Sequence, residues 1–178
     1  MPYLEVNSLD FFDTVENRRS ARAYLSKEIE EDKLKRILTA LLRAPSAGNL
    51  QAYCVFVVKN QKIRENLARA AFGQHFIAEA PISLVFCALP DKSSAKYGKR
   101  GAELYCIQDA TIAASYAQLA ATAVGLATCW VGAFDDDAVK KILSLKKEKP
   151  VAILTLGYAA EIPEKTEREP IDSIIKKI

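Results

Sequence analysis

The chain has 178 residues, of which 50% are hydrophobic and 26% charged, with a formal net charge of +3. That balance describes an ordinary globular chain, long enough to bury a core without disulfides or a structural metal. It argues against nucleic-acid binding, because a surplus of three positive charges is scattered among 22 acidic residues. A single histidine leaves a zinc site almost without ligands.

In chain order, the apolar spacing of Phe11, Phe12 and Val15 predicts a short helix over 8–17, running into the basic segment Arg18-Arg19-Ser20-Ala21-Arg22. Leu34, Ile37, Leu38, Leu41 and Leu42 recur at helical spacing and predict a helix over 30–43, which stops at Ala44-Pro45 because a residue before proline leaves the helical region. A loop follows at 45–49, then a buried strand at 53–58 (YCVFVV) and an outer helix at 61–72, capped by Asn60 and carrying Arg64. A second buried strand is expected at 82–89, and the polar, basic stretch 91–101 reads as a loop. An alanine-rich helix is expected over 102–124, with Gly125 as its stop. A strand at 128–131, a helix at 136–145 capped by Asp135 and a strand at 151–156 complete the predicted core. The tail 160–178 carries Ile171, Ile174, Ile175 and Ile178 with little partner surface of its own, so it is expected to pack on something else. Helices interleaved with about four apolar strands indicate a layered α+β or α/β fold.

The four cysteines, Cys54, Cys87, Cys106 and Cys129, stand apart from one another in apolar stretches without a C-x-x-C pair, and read as small hydrophobes in a reducing compartment. The N-terminus MPYLEVNSLDFF lacks the basic start and apolar run of a signal peptide. The most apolar stretch, 110–124, is interrupted by Thr111, Ser115, Gln118 and Thr122, so no bilayer span is expected. A cytoplasmic location is the expectation.

Four segments carry chemistry. Arg18, Arg19, Ser20 and Arg22 place three guanidiniums and a hydroxyl within five residues, the donors a phosphate needs, although a basic run of this length also describes a solvated face. Pro45, Ser46, Ala47, Gly48, Asn49 and Gln51 offer small side chains, free backbone amides and two carboxamides, suited to a flat heteroaromatic ring or equally to an Asx-type turn. In the stretch 125–134, Gly132 permits close backbone approach at a strand end. G-x-G-x-x-G, a P-loop, G-x-S-x-G and a cysteine–histidine pair are all absent. Finally, Lys165 or Arg168 in the tail could close on a phosphate, or serve only as part of a mixed-charge linker.

Taken in order, R-R-S-x-R, A-P-S-A-x-N-x-Q, G-L-x-x-x-W-V-G-A-F and L-G-Y-A followed by R-x-P resemble the FMN-dependent nitroreductase family over 11–171. The resemblance implies a single α+β domain over 1–178: a three-layer α/β/α fold whose mixed, mainly antiparallel sheet is flanked by helices. It also implies a homodimer with FMN at the interface and a C-terminal arm, about 160–178, lying on the partner. It assigns Arg18, Arg19, Ser20 and Arg22 to the phosphate, ribityl chain and pyrimidine edge. Pro45, Ser46, Ala47 and Asn49, with Gln51 beside them, cover the isoalloxazine from the other subunit. Trp130, Val131, Gly132 and Ala133 lie along the flavin, and Arg168, with Lys165 as a looser match, reaches the phosphate. Two departures stand out: Gln51-Ala52-Tyr53 replaces the more frequent glutamine, proline and tryptophan, and Ala127 replaces a common second glycine.

The activity implied is ping-pong hydride transfer through flavin N5, from NADH or NADPH to a small acceptor such as a nitroaromatic or quinone. No catalytic side chain and no metal are assigned, and neither nucleic acid nor membrane is an expected partner. The basic stretch Lys96–Arg100 is a candidate for substrate choice. A specialised flavoenzyme of the same fold (a dehalogenase, an azoline oxidase or a flavin-cleaving enzyme) and a flavin-storage module are the competing expectations.

Overall fold

Four strands set the frame: β1 (Tyr53–Val58), β2 (Ile82–Ala88), β3 (Ala127–Val131) and β4 (Lys149–Gly157). In this computed structural model, which describes residues 9–178, they form one sheet in the order β1-β2-β4-β3, and every ladder is antiparallel. The mixed character lies at the outer edge of β3, where Ser20 makes a parallel bridge to Thr128. β2 is buried at every position and β4 at all but its first and third, as the continuous apolar runs demand of strands covered on both faces.

Side chains alternate between two apolar layers. Ile82, Leu84, Phe86 and Ala88 point with Leu154 and Leu156 toward α2 (Glu31–Leu41) and α6 (Cys106–Ala123). Val85, Cys87 and Ile153 point the other way, toward α3 (Gln61–Ala70), α4 (Phe76–Glu79) and α7 (Asp136–Leu143). Leu34, Ile37 and Leu41 form the buried stripe of α2. On α6, Ala110, Ala113, Ala114, Ala117 and Ala121 are all fully buried. With methyl groups over most of that face, the helix axis settles close to both α2 and the sheet.

Helix starts follow side-chain capping. Asp10 accepts from Asp13 N at the head of α1 (Phe11–Asn17), Asn60 from Ile63 N, and Asp135 from both Asp137 N and Ala138 N. The predicted first helix therefore begins at Phe11, and Ser8 lies outside the described residues. Neither α4 nor the short α8 (Ile171–Ile174) is foreseen by periodicity. Among the described residues, no helix is long and apolar enough to cross a membrane.

Three expectations are corrected. The stretch 91–101 is not a loop but α5 (Pro90–Arg100), with proline in its first turn. The chain breaks direction at Gly98 (φ 55°, ψ −142°) and makes one π-helical turn over Gly101–Tyr105 before α6. Polar composition suggests a loop, but Ser93 is buried and Gly101 lies so close to the Ser93 carbonyl that a Cβ would clash with it, which fixes the helix against the next one. Second, Arg64 does not ride on an outer face; it is 7% exposed, its guanidinium held by the Lys59 carbonyl and the Gln61 side chain. Third, Cys54 and Cys87 are not isolated, since they stand directly opposite each other on β1 and β2.

The segment after α1 is fastened to the sheet by a buried hydroxyl pair. Thr155 Oγ1 on β4 accepts from Cys129 N (2.9 Å) and lies 2.6 Å from the Tyr24 hydroxyl, which donates to the Ala21 carbonyl at 3.0 Å. Thr155→Val keeps the shape and removes the hydroxyl, taking from buried Tyr24 its hydroxyl partner and from the Cys129 amide its side-chain acceptor. The substitution is expected to lower stability by about 2–3 kcal/mol, read as a shifted denaturation midpoint with unchanged slope. A loss below about 0.5 kcal/mol would mean that water replaces the hydroxyl.

Candidate functional site

Residues 18–25 run extended along the outer edge of β3 and then beside the chain that leaves β4. Ala21 N donates to the Thr128 carbonyl at 3.0 Å and Leu25 N to the Tyr158 carbonyl at 2.9 Å, and Tyr24 bridges Ala159. Returning past β4, Ala160 N donates to the Ala23 carbonyl at 3.0 Å. This pairing starts the C-terminal segment alongside the N-terminal arginines. Together they enclose a cleft of about 650 Å³ lined by Arg18, Arg19, Ser20, Arg22, Lys165 and Arg168, with Val15, Glu16, Glu164 and Thr166 completing the wall.

The cleft is cationic and only partly neutralised. Lys165 pairs with Glu16. Arg19 donates to the Arg18 carbonyl at 3.0 Å, and Arg168 donates to Thr166 Oγ1 at 2.9 Å. None of the four guanidiniums is ion-paired among the described residues. Partial burial, with Arg168 and Arg19 close by, lowers the pKa of Arg18. Desolvated cations crowded on one another are the arrangement that an anion relieves.

Trp130–Ala133 continues directly from the strand that Ser20 flanks. Trp130 is half-buried against the α2/α6 layer and Val131 is buried, while Gly132 and Ala133 emerge exposed beyond the strand end. The Ala133 carbonyl accepts from Gln74 Nε2 at 3.1 Å. A Cβ on Gly132 would meet only Trp130 within the chain, at 3.4 Å. Packing within the chain therefore gives little reason for a glycine there.

Pro45, Ser46 and Ala47 are brought to a different cleft, of about 510 Å³, walled by Tyr105, Ile107, Gln108, Asp109, Thr111 and Ile112. Asn49 and Gln51 follow them, exposed. The predicted site is thus divided within one chain into a cationic half and a loop half. The loop is unusual in backbone terms: Gly48, Asn49 and Gln51 all have left-handed φ, at 56°, 56° and 49°. Glycine and asparagine tolerate that region and glutamine does so at a cost, so something must hold the loop. Asp109, on the first turn of α6 and 2% exposed, does this. Its two carboxylate oxygens accept from Ala47 N (2.9 Å) and Ala52 N (3.3 Å), pinning both ends of the loop. Ser46 Oγ accepts from Gln51 N at 2.9 Å, and Lys92 Nζ reaches the Gln51 carbonyl at 3.2 Å.

Asp109, which holds the candidate loop in place, is a residue that sequence reading missed. Its signal is a lone carboxylate on the apolar, alanine-rich stretch of α6, where an acid survives only with buried donors. Lys96 and Tyr97 of α5 press on Gly48 so closely that a Cβ there would collide with both side-chain tips. The basic stretch 96–100 therefore adjoins the loop half of the site.

The comparisons agree with this architecture. A model of the Nitroreductase family matches residues 15–76 and 70–158. An NADH dehydrogenase of Thermus thermophilus is 31% identical over 186 residues, covering 89% of this chain and 91% of its own length. An FMN reductase acting with NAD(P)H, from Bacillus subtilis, is 29% identical over 174 residues, covering 89% of this chain and 69% of its own. The solved structure of nitroreductase A from Vibrio parahaemolyticus superposes with a TM-score of 0.86 at 26% identity, covering 94% of this chain and 75% of that one. With the fold, the ordered motifs and the matched span in accord, the chain belongs to the nitroreductase family.

Proposed function

We propose that the protein is an FMN-dependent oxidoreductase that takes electrons from NADH or NADPH and passes them to a small acceptor, nitroaromatic, quinone or similar. The observation that carries the reading is the cleft in which Arg18, Arg19, Arg22 and Arg168 converge without ion-pair partners among the described residues. A phosphate group fits that donor set, because each charge-assisted hydrogen bond contributes about 1.5–3 kcal/mol and Ser20 adds a hydroxyl. The names of the Bacillus and Thermus relatives support the cofactor and the donor.

When bound, FMN supplies the redox chemistry. The chain's own residues bind and orient. Arg18, Arg19, Arg22, Lys165 and Arg168 hold the phosphate end, and one of these cations, Arg19 or Arg22, places positive charge at the pyrimidine edge. Trp130, Val131, Gly132 and Ala133 present backbone along the ring, which explains a glycine that internal packing does not require. Pro45, Ser46, Ala47, Asn49 and Gln51 cover the ring held by a second copy of the chain. That assignment accounts for their distance from the cationic half and for the exposed Phe11, Phe12, Ile171, Ile174 and Ile175, apolar surface of the kind a homodimer buries. Lys96 and Tyr97, beside the loop, select the acceptor. No side chain is assigned as a catalytic acid or base. The four unbridged cysteines suit a reducing, cytoplasmic setting.

Purified protein is expected to be yellow, to release FMN on denaturation and to bleach anaerobically with NADH or NADPH. A colourless protein that FMN does not reconstitute would sink the reading, and a yellow one that neither nucleotide reduces would favour flavin storage. Arg18→Ala is expected to weaken FMN binding about 10- to 100-fold, whereas Lys62→Ala, on the exposed face of α3, leaves it unchanged. Equal retention by both variants would remove Arg18 from the phosphate site. Asp109→Asn replaces one acceptor of the loop clamp by a donor; FMN affinity should fall about tenfold and amide exchange across 47–52 should accelerate. Unchanged exchange would show that Asp109 does not hold the loop.

A further inference from the structure

The register places two thiols side by side. Cys54, the second residue of β1, is directly opposite Cys87, the sixth of β2, with both in the layer that faces α3 and α7. Residues directly opposite in an antiparallel ladder have Cα atoms about 4.5–5.5 Å apart, inside the range that a disulfide spans. Cross-strand Cβ atoms sit at or just beyond the outer limit for a disulfide, so closure requires the strands to draw together slightly. The fold supplies that freedom in two places. β1 is an edge strand hydrogen-bonded to β2 alone, and the β2–β4 register shifts between Phe86 and Cys87.

The two sulfurs are also unlike each other. Cys87 is fully buried, whereas Cys54 is only partly so and is reachable from solvent. The Cys87 thiol alongside lowers the pKa of Cys54, while the same contact, together with burial, pushes Cys87 up. One thiol is thus set up to lose its proton and meet a reagent, and the other to keep its proton until its neighbour has reacted. The remaining cysteines do not compete. Cys106 belongs to the opposite layer, and Cys129 lies on β3, two strands from Cys87. Two strand spacings come to about 9–10 Å, beyond disulfide reach.

We propose that Cys54 and Cys87 form a reversible dithiol–disulfide site whose oxidant is hydrogen peroxide. The Cys54 thiolate attacks peroxide: a sulfur–oxygen bond forms, the oxygen–oxygen bond breaks, and hydroxide leaves with a proton as water. Cys87 sulfur then attacks the Cys54 sulfenic acid. The sulfur–sulfur bond forms, the sulfur–oxygen bond breaks, and the departing hydroxyl takes the Cys87 proton, so two thiols and one peroxide yield one disulfide and two waters. A dithiol reductant reverses it. The cross-link ties the edge strand to its neighbour three residues beyond Gln51, and a bond closed under strain is readily reduced.

The test uses the reduced, full-length protein as purified, exposed to a small molar excess of hydrogen peroxide. It is then unfolded, alkylated with N-ethylmaleimide and analysed by intact mass and peptide mapping. Two of the four thiols are expected to resist alkylation, with one Cys54–Cys87 cross-link within a single chain, and a phosphine reductant should restore all four. Cys54→Ser should leave its three remaining thiols alkylatable after peroxide. Cys87→Ala should leave Cys54 as a sulfenic acid that dimedone captures. Four alkylatable thiols in the treated wild-type protein would overturn the proposal, as would Cys54 advancing to the sulfinic acid beside a free Cys87, or any other pairing, including one between two chains. The wild-type measurement decides the matter even where a core substitution at Cys87 impairs folding.

Discussion

The structure depends on how residues 20–25 are stitched into the sheet. This segment has no helix of its own, yet Ala21 and Tyr24 are buried. It is held by Thr128 at its start, by the chain leaving β4 further along, and by the Tyr24–Thr155 hydroxyl pair. Burial pushes the Tyr24 phenol above its ordinary pKa, so the hydroxyl stays protonated and can donate to the Ala21 carbonyl. Because backbone and buried hydroxyls do the anchoring, the arginine side chains are spared that duty. Three guanidiniums can then face one cleft, where a packed core would have forced them apart or paired them with acids.

The second constraint is of opposite sign. Around the arginines positive charge is concentrated, whereas around the 45–52 loop one buried negative charge organises the backbone. Asp109 accepts two amide hydrogens that would otherwise be orphaned at the loop's ends, and in doing so it keeps Gly48, Asn49 and Gln51 in left-handed conformations. Those conformations cost about 1–3 kcal/mol for a residue such as glutamine, so the loop is a shape imposed by α6. Deviations of this kind collect where a surface must meet a ligand or a partner in one defined form. The departure at Gln51-Ala52-Tyr53 falls here, and Ala52 shows why it is tolerated. Its amide is the one bonded to Asp109 Oδ2, a contact that proline could not make.

Much of this was legible in the sequence where the signal was local. The apolar run 53–58 forms β1 with the predicted ends, and α2 follows the spacing of Leu34, Ile37 and Leu41. The polar stretch 91–101 misled because a helix lying on a protein surface needs few apolar residues; Pro90 and the break at Gly98 were its better signals. Arg64 misled for a related reason, since a charged residue on a polar helix is expected outside, and nothing in the chain order reveals that the loop 24–29 comes to lie over it. The convergence of Lys165 and Arg168 with Arg18–Arg22 rests on pairings such as Ala160 with Ala23, more than 130 residues apart, which no periodicity encodes. It was the family resemblance that carried that part of the expectation.

Average composition also hid what matters electrostatically. A net charge of +3 over 178 residues argues for no partner at all, yet five cations line one cleft beside only Glu16 and Glu164. Elsewhere acids and bases neutralise one another locally, as Glu31 does with Lys59, Asp137 with Lys140 and Asp91 with Lys147. Each of those pairs is exposed and worth little to stability. Their effect is to cancel part of the field elsewhere, while the five cations of the cleft stay concentrated in one place. Focusing of this kind depends on where charges are left unpaired, a property of the fold and not of the composition. The same holds for the thiols: four cysteines that look interchangeable along the chain become one facing pair and two singletons once the strands align. In both cases the chemistry arises from juxtaposition, and the antiparallel sheet is what brings the residues together.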